Sequence, residues 1–316
     1  MSRFLVTGGA GFVGSHIVEE LLNRGHDVIS LDCLTYAGSL SSLACLPQER
    51  LTVWHRDFSQ PMLDLVDQLT DTYVIHNGAE SHVLRSLQDP ERFVQSNVLG
   101  TLNLLEVCRY AKVRKFVYVS TDEVFGPAGD EPYHEGDRLQ PTNPYSASKA
   151  GGEFLARSYF RSFGVAALIT RTINMFGERQ YPEKFVPLVI KRLLSGQAVD
   201  IHADKNGEVG SRTWAYVGEQ VKALIDLAET GEPGKAYHVS EGTRKSNYEM
   251  ADLISRILDV PFNWKLVEYA WAGHDMHYKL STQGTPQSTN WKMKESFEEL
   301  LKKTVIWYQE HPEWLR

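Results

Sequence analysis

The chain predicts an α/β fold: a parallel, doubly wound sheet carrying a smaller C-terminal lobe. Three observations predict it. Up to Phe176, short β-branched and aromatic runs alternate with amphipathic helical stretches, the pattern of a parallel sheet covered on both faces. A glycine turn, Gly8-Gly9-Ala10-Gly11-Phe12-Val13-Gly14, joins the first such run to the first helix. An acidic residue, Asp32, closes the second run. Together these make a βαβ unit of Rossmann type, with a helix N-terminus aimed at a pyrophosphate.

The elements follow in order. Strands are expected at 3–7 and 27–32, with a helix at 15–24 ended by Gly25. Further strands fall at 51–55, 73–77, 115–119 and 166–170. Six strands of this kind imply the doubly wound sheet. The stretch 94–110 is helical and apolar on more than one face, so it is deeply buried or faces a partner. After Phe176-Gly177 the texture changes. Helices are expected at 187–195, 218–229 and 246–258, with short strands at 199–202 and 235–239. Residues 212–217 are expected to rejoin the large sheet. Phe297, Leu300, Leu301, Thr304, Val305 and Tyr308 keep helical spacing. The division expected is 1–176 plus about 212–240 for the dinucleotide-binding domain, and about 177–211 and 241–316 for the substrate-binding lobe.

With 316 residues, 42% of them hydrophobic and 23% charged, the chain is long enough for a large core and two lobes. A net charge of −7 argues against a nucleic-acid partner. Three cysteines without paired spacing provide neither a disulfide framework nor a metal site. Scattered histidines show no ligand spacing, so no metal is expected. No apolar run reaches membrane-spanning length and no signal peptide is apparent, so a cytoplasmic location is expected, without a membrane partner.

The chemistry concentrates in two stretches. Ser120-Thr121-Asp122-Glu123 follows the strand at 115–119, placing a hydroxyl and two carboxyls at a strand's carboxyl end, where open sheets bind ligands. Tyr145 and Lys149 lie four apart just inside a helix that Asn143 can cap and Pro144 can start. A phenol beside an ammonium is a base for an alcohol proton, its pKa expected to be lowered by the Lys149 charge together with a nicotinamide charge. Asp122 is expected to be protonated, because a neighbouring carboxylate and poor solvation raise its pKa. Asp32 can accept the adenosine ribose hydroxyls and no cation follows closely, which favours NAD over NADP.

These residues resemble the extended short-chain dehydrogenase/reductases, and within them the nucleotide-sugar 4,6-dehydratases. The resemblance runs nearly end to end. It rests on the glycine loop, Tyr145 with Lys149, and the stretches starting at Asp32, Glu80, Ser120 and Phe176. The Thr121-Asp122-Glu123 triad is the most specific.

The resemblance implies NAD held by Gly8, Gly11, Phe12, Val13, Gly14, Asp32, Leu34, Thr35, Asp57, Phe58, Ala79, Ser81, Asn97, Ser120, Tyr145 and Lys149. It implies a nucleotide sugar held by Ser81, His82, Arg85, Asn174, Glu183, Lys184, Phe185, Arg212, His274 and Tyr278. The implied catalytic set is Thr121, Asp122, Glu123, Tyr145 and Lys149. The implied reaction converts dTDP-glucose, or a related NDP-glucose, to the 4-keto-6-deoxyhexose. It proceeds by C4 oxidation, loss of water across C5 and C6, and hydride return to C6. A homodimer through a four-helix bundle is implied as well. The chain departs from the family pattern at Leu84, Phe125, Met276 and the loop 204–211. Two other readings stay open: an NDP-sugar epimerase or decarboxylase on the same scaffold, and a non-catalytic NAD-binding regulatory protein.

Overall fold

The structure, a computed structural model, describes residues 1–129, 131–269, 275–281 and 295–316. Among these the strands are β1 (Arg3–Thr7), β2 (Asp27–Asp32), β3 (Leu51–His55), β4 (Tyr73–His76), β5 (Lys115–Thr121), β6 (Ala167–Thr172), β7 (Asn174–Phe176), β8 (Val199–Ala203), β9 (Ser211–Tyr216), β10 (Ala236–Val239), β11 (Thr243–Ser246) and β12 (Trp264–Glu268). Seven form one sheet in the order β10-β6-β5-β4-β1-β2-β3, every pair parallel. From β1 the chain builds outward through β2 to β3, then returns to β4 on the other side of β1. The carboxyl ends of β1 and β4 therefore flank a crevice at the switch point.

Successive side chains of a strand point to opposite faces. In β1, Phe4 and Val6 enter one core with Ile17, Leu21 and Leu224, while Leu5 enters another with Ile29, Val74 and Leu104. Both faces of the sheet are thus buried, which explains why its strands read as nearly continuous apolar runs.

One expected strand sits elsewhere. Residues 212–217 do not rejoin the large sheet. β9 lies in a separate three-stranded sheet, antiparallel to β11 and parallel to β7. The edge place beside β6 is taken by β10. The helix Val217–Thr230 leads to that edge and packs against the helix Phe12–Asn23. Apolarity marks 212–217 as a strand but does not choose its sheet. β8 pairs with β12, a partner the sequence did not indicate.

The stretch 94–110 is not one regular helix. It runs from Pro90–Val94 through a π-helical segment, Gln95–Leu99, into Gly100–Ala111. The π segment holds Asn97, which is buried. Asn97 accepts from the Glu80 N–H at 2.9 Å and donates to the Glu80 carbonyl and the Ser148 hydroxyl, both at 2.9 Å. Polar satisfaction of one inward side chain accompanies the altered winding.

Candidate active site

β5 is buried along its whole length and ends at Thr121. Thr121 then accepts the Glu123 N–H at 3.3 Å and starts a short 3₁₀ turn, Asp122–Phe125. That turn keeps both carboxyls at the sheet's carboxyl edge. Facing it is the helix Pro144–Phe163. As expected, Asn143 caps this helix, accepting the Ser146 N–H at 2.9 Å in a reciprocal capping box, with Pro144 in the first turn.

The helix lies close to β5 because Gly152 has no side chain: a Cβ there would stand 2.2 Å from the Tyr118 hydroxyl. Tyr118 donates to the Lys149 carbonyl at 3.2 Å. The Lys149 ammonium donates to the Val119 carbonyl at 2.7 Å and lies 4.4 Å from the Tyr118 ring centroid.

A cleft of ≈ 320 Å³ runs along the strand ends. It is lined by Gly8, Gly11, Phe12, Val13, Asp32, Thr35, Phe58, Ala79 and Ser81 on one side, and by Ser120, Thr121, Asp122, Glu123, Tyr145, Lys149, Asn174 and Lys184 on the other. Most of the expected cofactor residues and all five expected catalytic residues therefore share one space.

The remainder are placed around it. Gly14 packs the glycine turn, where a Cβ would meet the Gly8 carbonyl at 1.9 Å. The Leu34 N–H donates to Asp32 at 2.8 Å. Asp57 accepts the Ser59 N–H at 2.8 Å and lines an adjoining hollow. Asn97 braces the Glu80 loop from behind, as described above. Glu80, Met175, Gln180 and Tyr181 also line the cleft. Glu80, Gln180 and Tyr181 fall in stretches that carry the resemblance, whereas Met175, in the middle of β7, had no sequence signal.

The cleft fits NAD on its own residues. Gly11 precedes the helix Phe12–Asn23 in extended backbone, without a side-chain cap, and no acidic residue occupies the first turn. Those open N–H groups and the helix dipole suit a pyrophosphate. Asp32, nearly buried, accepts from the Ala10 N–H at 3.0 Å and the Leu34 N–H at 2.8 Å. Its carboxylate is thereby fixed at the end of β2, where a ribose diol would bind.

The electrostatics separate the acids. Burial first, then the Glu123 charge, pushes the Asp122 carboxyl up to about 7, against the opposing pull of Arg212 and the Thr121 hydroxyl. Burial also raises Glu123, while Arg212 and Lys184 draw it down. Burial lowers the Lys149 ammonium to about 7, opposed by Glu153 one turn along. The Tyr145 phenol departs from expectation: burial and then Glu123 raise it, and only a hydrogen bond with Thr121 works the other way. The Lys149 ammonium donates to the Val119 carbonyl, and burial is the largest influence on the phenol.

The expected substrate residues fall into several small groups. Arg85 donates to Glu183 at 3.1 Å and 3.2 Å and stacks 3.7 Å over the Tyr36 ring, while Tyr36 donates to Glu183 at 2.8 Å. Lys184 donates to the Ser81 carbonyl at 3.1 Å and hydroxyl at 3.3 Å. His82 caps the helix Val83–Gln88 by accepting the Arg85 N–H, and Phe185 packs on Trp214. Of the expected substrate residues, Ser81, Asn174 and Lys184 line the cleft, whereas His82, Arg85, Glu183, Phe185, Arg212 and Tyr278 do not. Arg212 donates to the Met276 and Asp275 carbonyls at 2.7 Å and 2.9 Å and lies 4.6 Å from the Tyr278 ring centroid. Tyr278 reaches Glu123 directly, its hydroxyl 3.2 Å from Oε2. His274 lies outside the described residues. Among the described residues no cluster of His, Cys, Asp and Glu could hold a metal ion, and no helix is long and apolar enough to cross a membrane.

Among the departures from the family pattern, Phe125 is fully buried and stacks on Tyr133 with centroids 4.8 Å apart. Leu84 is exposed. The loop 204–211 folds on Asp204, which accepts from the Asn206 and Glu208 N–H groups.

This fold and site define an NAD-dependent enzyme of the extended short-chain dehydrogenase/reductase type. Comparison with known proteins narrows the class. The family described as GDP-mannose 4,6 dehydratase matches residues 5–304. The low-salt glycan biosynthesis protein Agl12 of Haloferax volcanii is 40% identical, with 96% of this chain and 97% of that protein aligned. The dTDP-glucose 4,6-dehydratase 1 of Escherichia coli K12 is 34% identical over 99% of this chain and 94% of its own length. Among solved structures, DesIV, a dTDP-glucose 4,6-dehydratase from Streptomyces venezuelae determined with NAD bound, superposes with a TM-score of 0.92 at 35% identity, covering 99% and 100% of the two chains. The UDP-N-acetylglucosamine 4-epimerase of Methanobrevibacter ruminantium superposes at 0.89 with 29% identity, covering 98% and 99%. The chain belongs to the nucleotide-sugar 4,6-dehydratase family of the extended short-chain dehydrogenase/reductases, and it uses NAD.

Proposed function

We propose that the substrate is dTDP-glucose or a closely related NDP-glucose, and that Thr121, Asp122, Glu123, Tyr145 and Lys149 divide the chemistry between them. The enzyme is a hydro-lyase: its substrate is oxidised at C4, loses water across C5 and C6, and is reduced at C6. NAD, when bound, supplies reversible two-electron oxidation at the sugar.

The protein's residues handle the protons. Tyr145 takes the C4 hydroxyl proton, its phenolate favoured by the Lys149 charge and by the positive nicotinamide of bound NAD, which would offset the burial that raises it. Lys149 anchors the helix turn that carries Tyr145 and adds positive charge near the reacting carbon. The 4-ketone acidifies C5–H, and Glu123 accepts that proton. Asp122 gives a proton to the departing C6 hydroxyl. Arg212 and Lys184 supply positive charge toward the carboxyls and the diphosphate side.

The observation that carries this reading is the adjacency of Asp122 and Glu123. An acid held near neutrality beside a carboxylate is what elimination requires and epimerisation does not. The fold alone does not distinguish the two, because 4-epimerases superpose almost as well. The test is incubation with dTDP-, UDP-, CDP- and GDP-hexoses. Loss of one water from a single nucleotide hexose, with the alkaline absorbance of a 4-keto sugar, is expected. Inversion at C4 without mass loss would instead establish an epimerase.

A homodimer is part of the same proposal. Val94, Leu99 and Tyr110 of the stretch 94–110 are exposed, as are Phe154, Phe160 and Phe163 on the helix Pro144–Phe163. These apolar faces sit on the two helical segments expected to form a four-helix bundle. A cytoplasmic location, with its supply of nucleotide sugars, completes the reading.

A further inference from the structure

Behind Glu123 lies a second carboxyl group that the reaction does not consume. Asp275 is 4% exposed. Its Oδ2 accepts the Thr142 hydroxyl at 2.7 Å and lies 3.0 Å from the Tyr278 hydroxyl. The same Tyr278 hydroxyl lies 3.2 Å from Glu123 Oε2. One phenolic proton thus stands between two carboxyl groups.

Counting protons gives the direction of the chain. Tyr278 has one O–H and can donate to one neighbour. With both carboxyls ionised, either contact can be filled, but the other then sets lone pair against lone pair. With a proton on Glu123 every contact is satisfied: Glu123 donates to Tyr278, Tyr278 donates to Asp275, and Thr142 donates to the same Asp275 oxygen. The array is complete when Glu123 has just taken a proton.

We propose that Asp275, fixed by Thr142, is a positioning residue that turns the Tyr278 hydroxyl away from Glu123 and so strengthens Glu123 as the base for C5. The inference rests on the reading of Glu123 as that base. In the step, the C5–H bond breaks, its electron pair is delocalised into the 4-ketone, and the proton forms an O–H bond on Glu123. Tyr278 keeps its own proton on Asp275 throughout, so the abstracted proton is stored rather than relayed onward, ready to return to C5.

Other charged and titratable groups also face Glu123. Asp122 precedes it, Tyr145 lies on the facing helix, Lys184 precedes the helix Phe185–Leu194, and Arg212 comes from β9. Lys184 and Arg212 oppose its protonation, whereas Asp275 favours it. Without Asp275 the two cations and a donating Tyr278 would all stabilise the carboxylate.

The test is Asp275→Asn in the NAD-loaded enzyme. The amide is neutral, so whichever of its atoms takes the Oδ2 place, the phenolic proton turns to the charged Glu123 carboxylate, the stronger acceptor. Expected are a kcat roughly tenfold to a hundredfold lower, a part of the ~10²–10⁴ that general base catalysis supplies, and a KM changed little. The acid limb of the kcat–pH profile should move to lower pH, because Glu123 holds its proton less tightly. Exchange of the C5 hydrogen with deuterated solvent should slow while C4 oxidation, read from the absorbance of reduced nicotinamide, keeps its rate. Asp275→Glu should recover part of the loss, and Thr142→Val should reproduce it more weakly.

An unshifted pH profile, or equal loss of C4 oxidation and C5 exchange, would overturn the proposal and leave Asp275 a structural residue. Glu123→Gln tells the two readings apart. If that variant still exchanges the C5 hydrogen, the assignment of Glu123 is wrong, whatever Asp275→Asn does.

Discussion

Replacing Asp122 with Asn probes the elimination chemistry most sharply, because the change keeps size and hydrogen bonding while removing the proton to be donated. Burial and the Glu123 charge set this carboxyl at about 7. About half the enzyme then holds the neutral acid at pH 7, and about a tenth does at pH 8. The wild-type kcat should therefore fall on the alkaline side of pH 7, approaching tenfold per pH unit. The sign follows from the role: the acid must be protonated, so activity is lost as pH rises through its pKa.

Asp122→Asn should abolish that limb and lower dehydration by roughly 10²–10⁴-fold, the usual worth of a positioned acid. C4 oxidation should survive, so rapid mixing with substrate should show reduced nicotinamide accumulating without release of water. A C6 fluoride, which departs with little help from an acid, should recover much of the lost rate. Dehydration within tenfold of wild type, or equal loss of C4 oxidation, would refute the assignment of Asp122 as the acid.

Three other outcomes follow from the geometry. Burial alone would raise Glu178, yet the His16 ring 3.7 Å away, its own backbone N–H and the Tyr216 hydroxyl hold it down to about 2. The stabilisation, about 3 kcal/mol for a shift of that size, is present above the unfolded carboxyl pKa of about 4.3 and is lost as pH falls towards 2. Denaturant titrations across that window should show it for wild type and not for Glu178→Gln. Gly152→Ala places a methyl 2.2 Å from the Tyr118 hydroxyl; it should cost about 1–3 kcal/mol and lower kcat by shifting Tyr145 and Lys149, measured by melting and steady-state rates. Phe154→Glu, at a side chain 58% exposed, should convert a dimer to monomers in light scattering without loss of bound NAD.

Much of this was legible in the sequence because local rules and fold rules agreed. The glycine turn and Asp32 mark the cofactor crevice, since a tight turn and a strand-end carboxylate leave few alternatives. The 115–119 run locates the triad, and Asn143-Pro144 locates the start of the facing helix. What was not legible depends on long-range packing. Apolarity at 212–217 could not choose between two sheets. Gly152 carries no local signal, though its missing side chain is what lets Lys149 come near β5. Burial raises the Tyr145 phenol, and burial cannot be judged from a spacing of four. Asp275 and Thr142 are 133 positions apart, so no local pattern links either of them to Glu123.

The central claim is that one site oxidises C4, eliminates across C5 and C6, and reduces C6 within a single bound sugar. Its most direct test is the fate of deuterium placed at C4 of the NDP-glucose that the enzyme accepts. The product expected is a 4-keto-6-deoxy sugar nucleotide carrying that deuterium at C6, in one molecule and without dilution by solvent. Deuterium retained at C4, or lost to water, would contradict it.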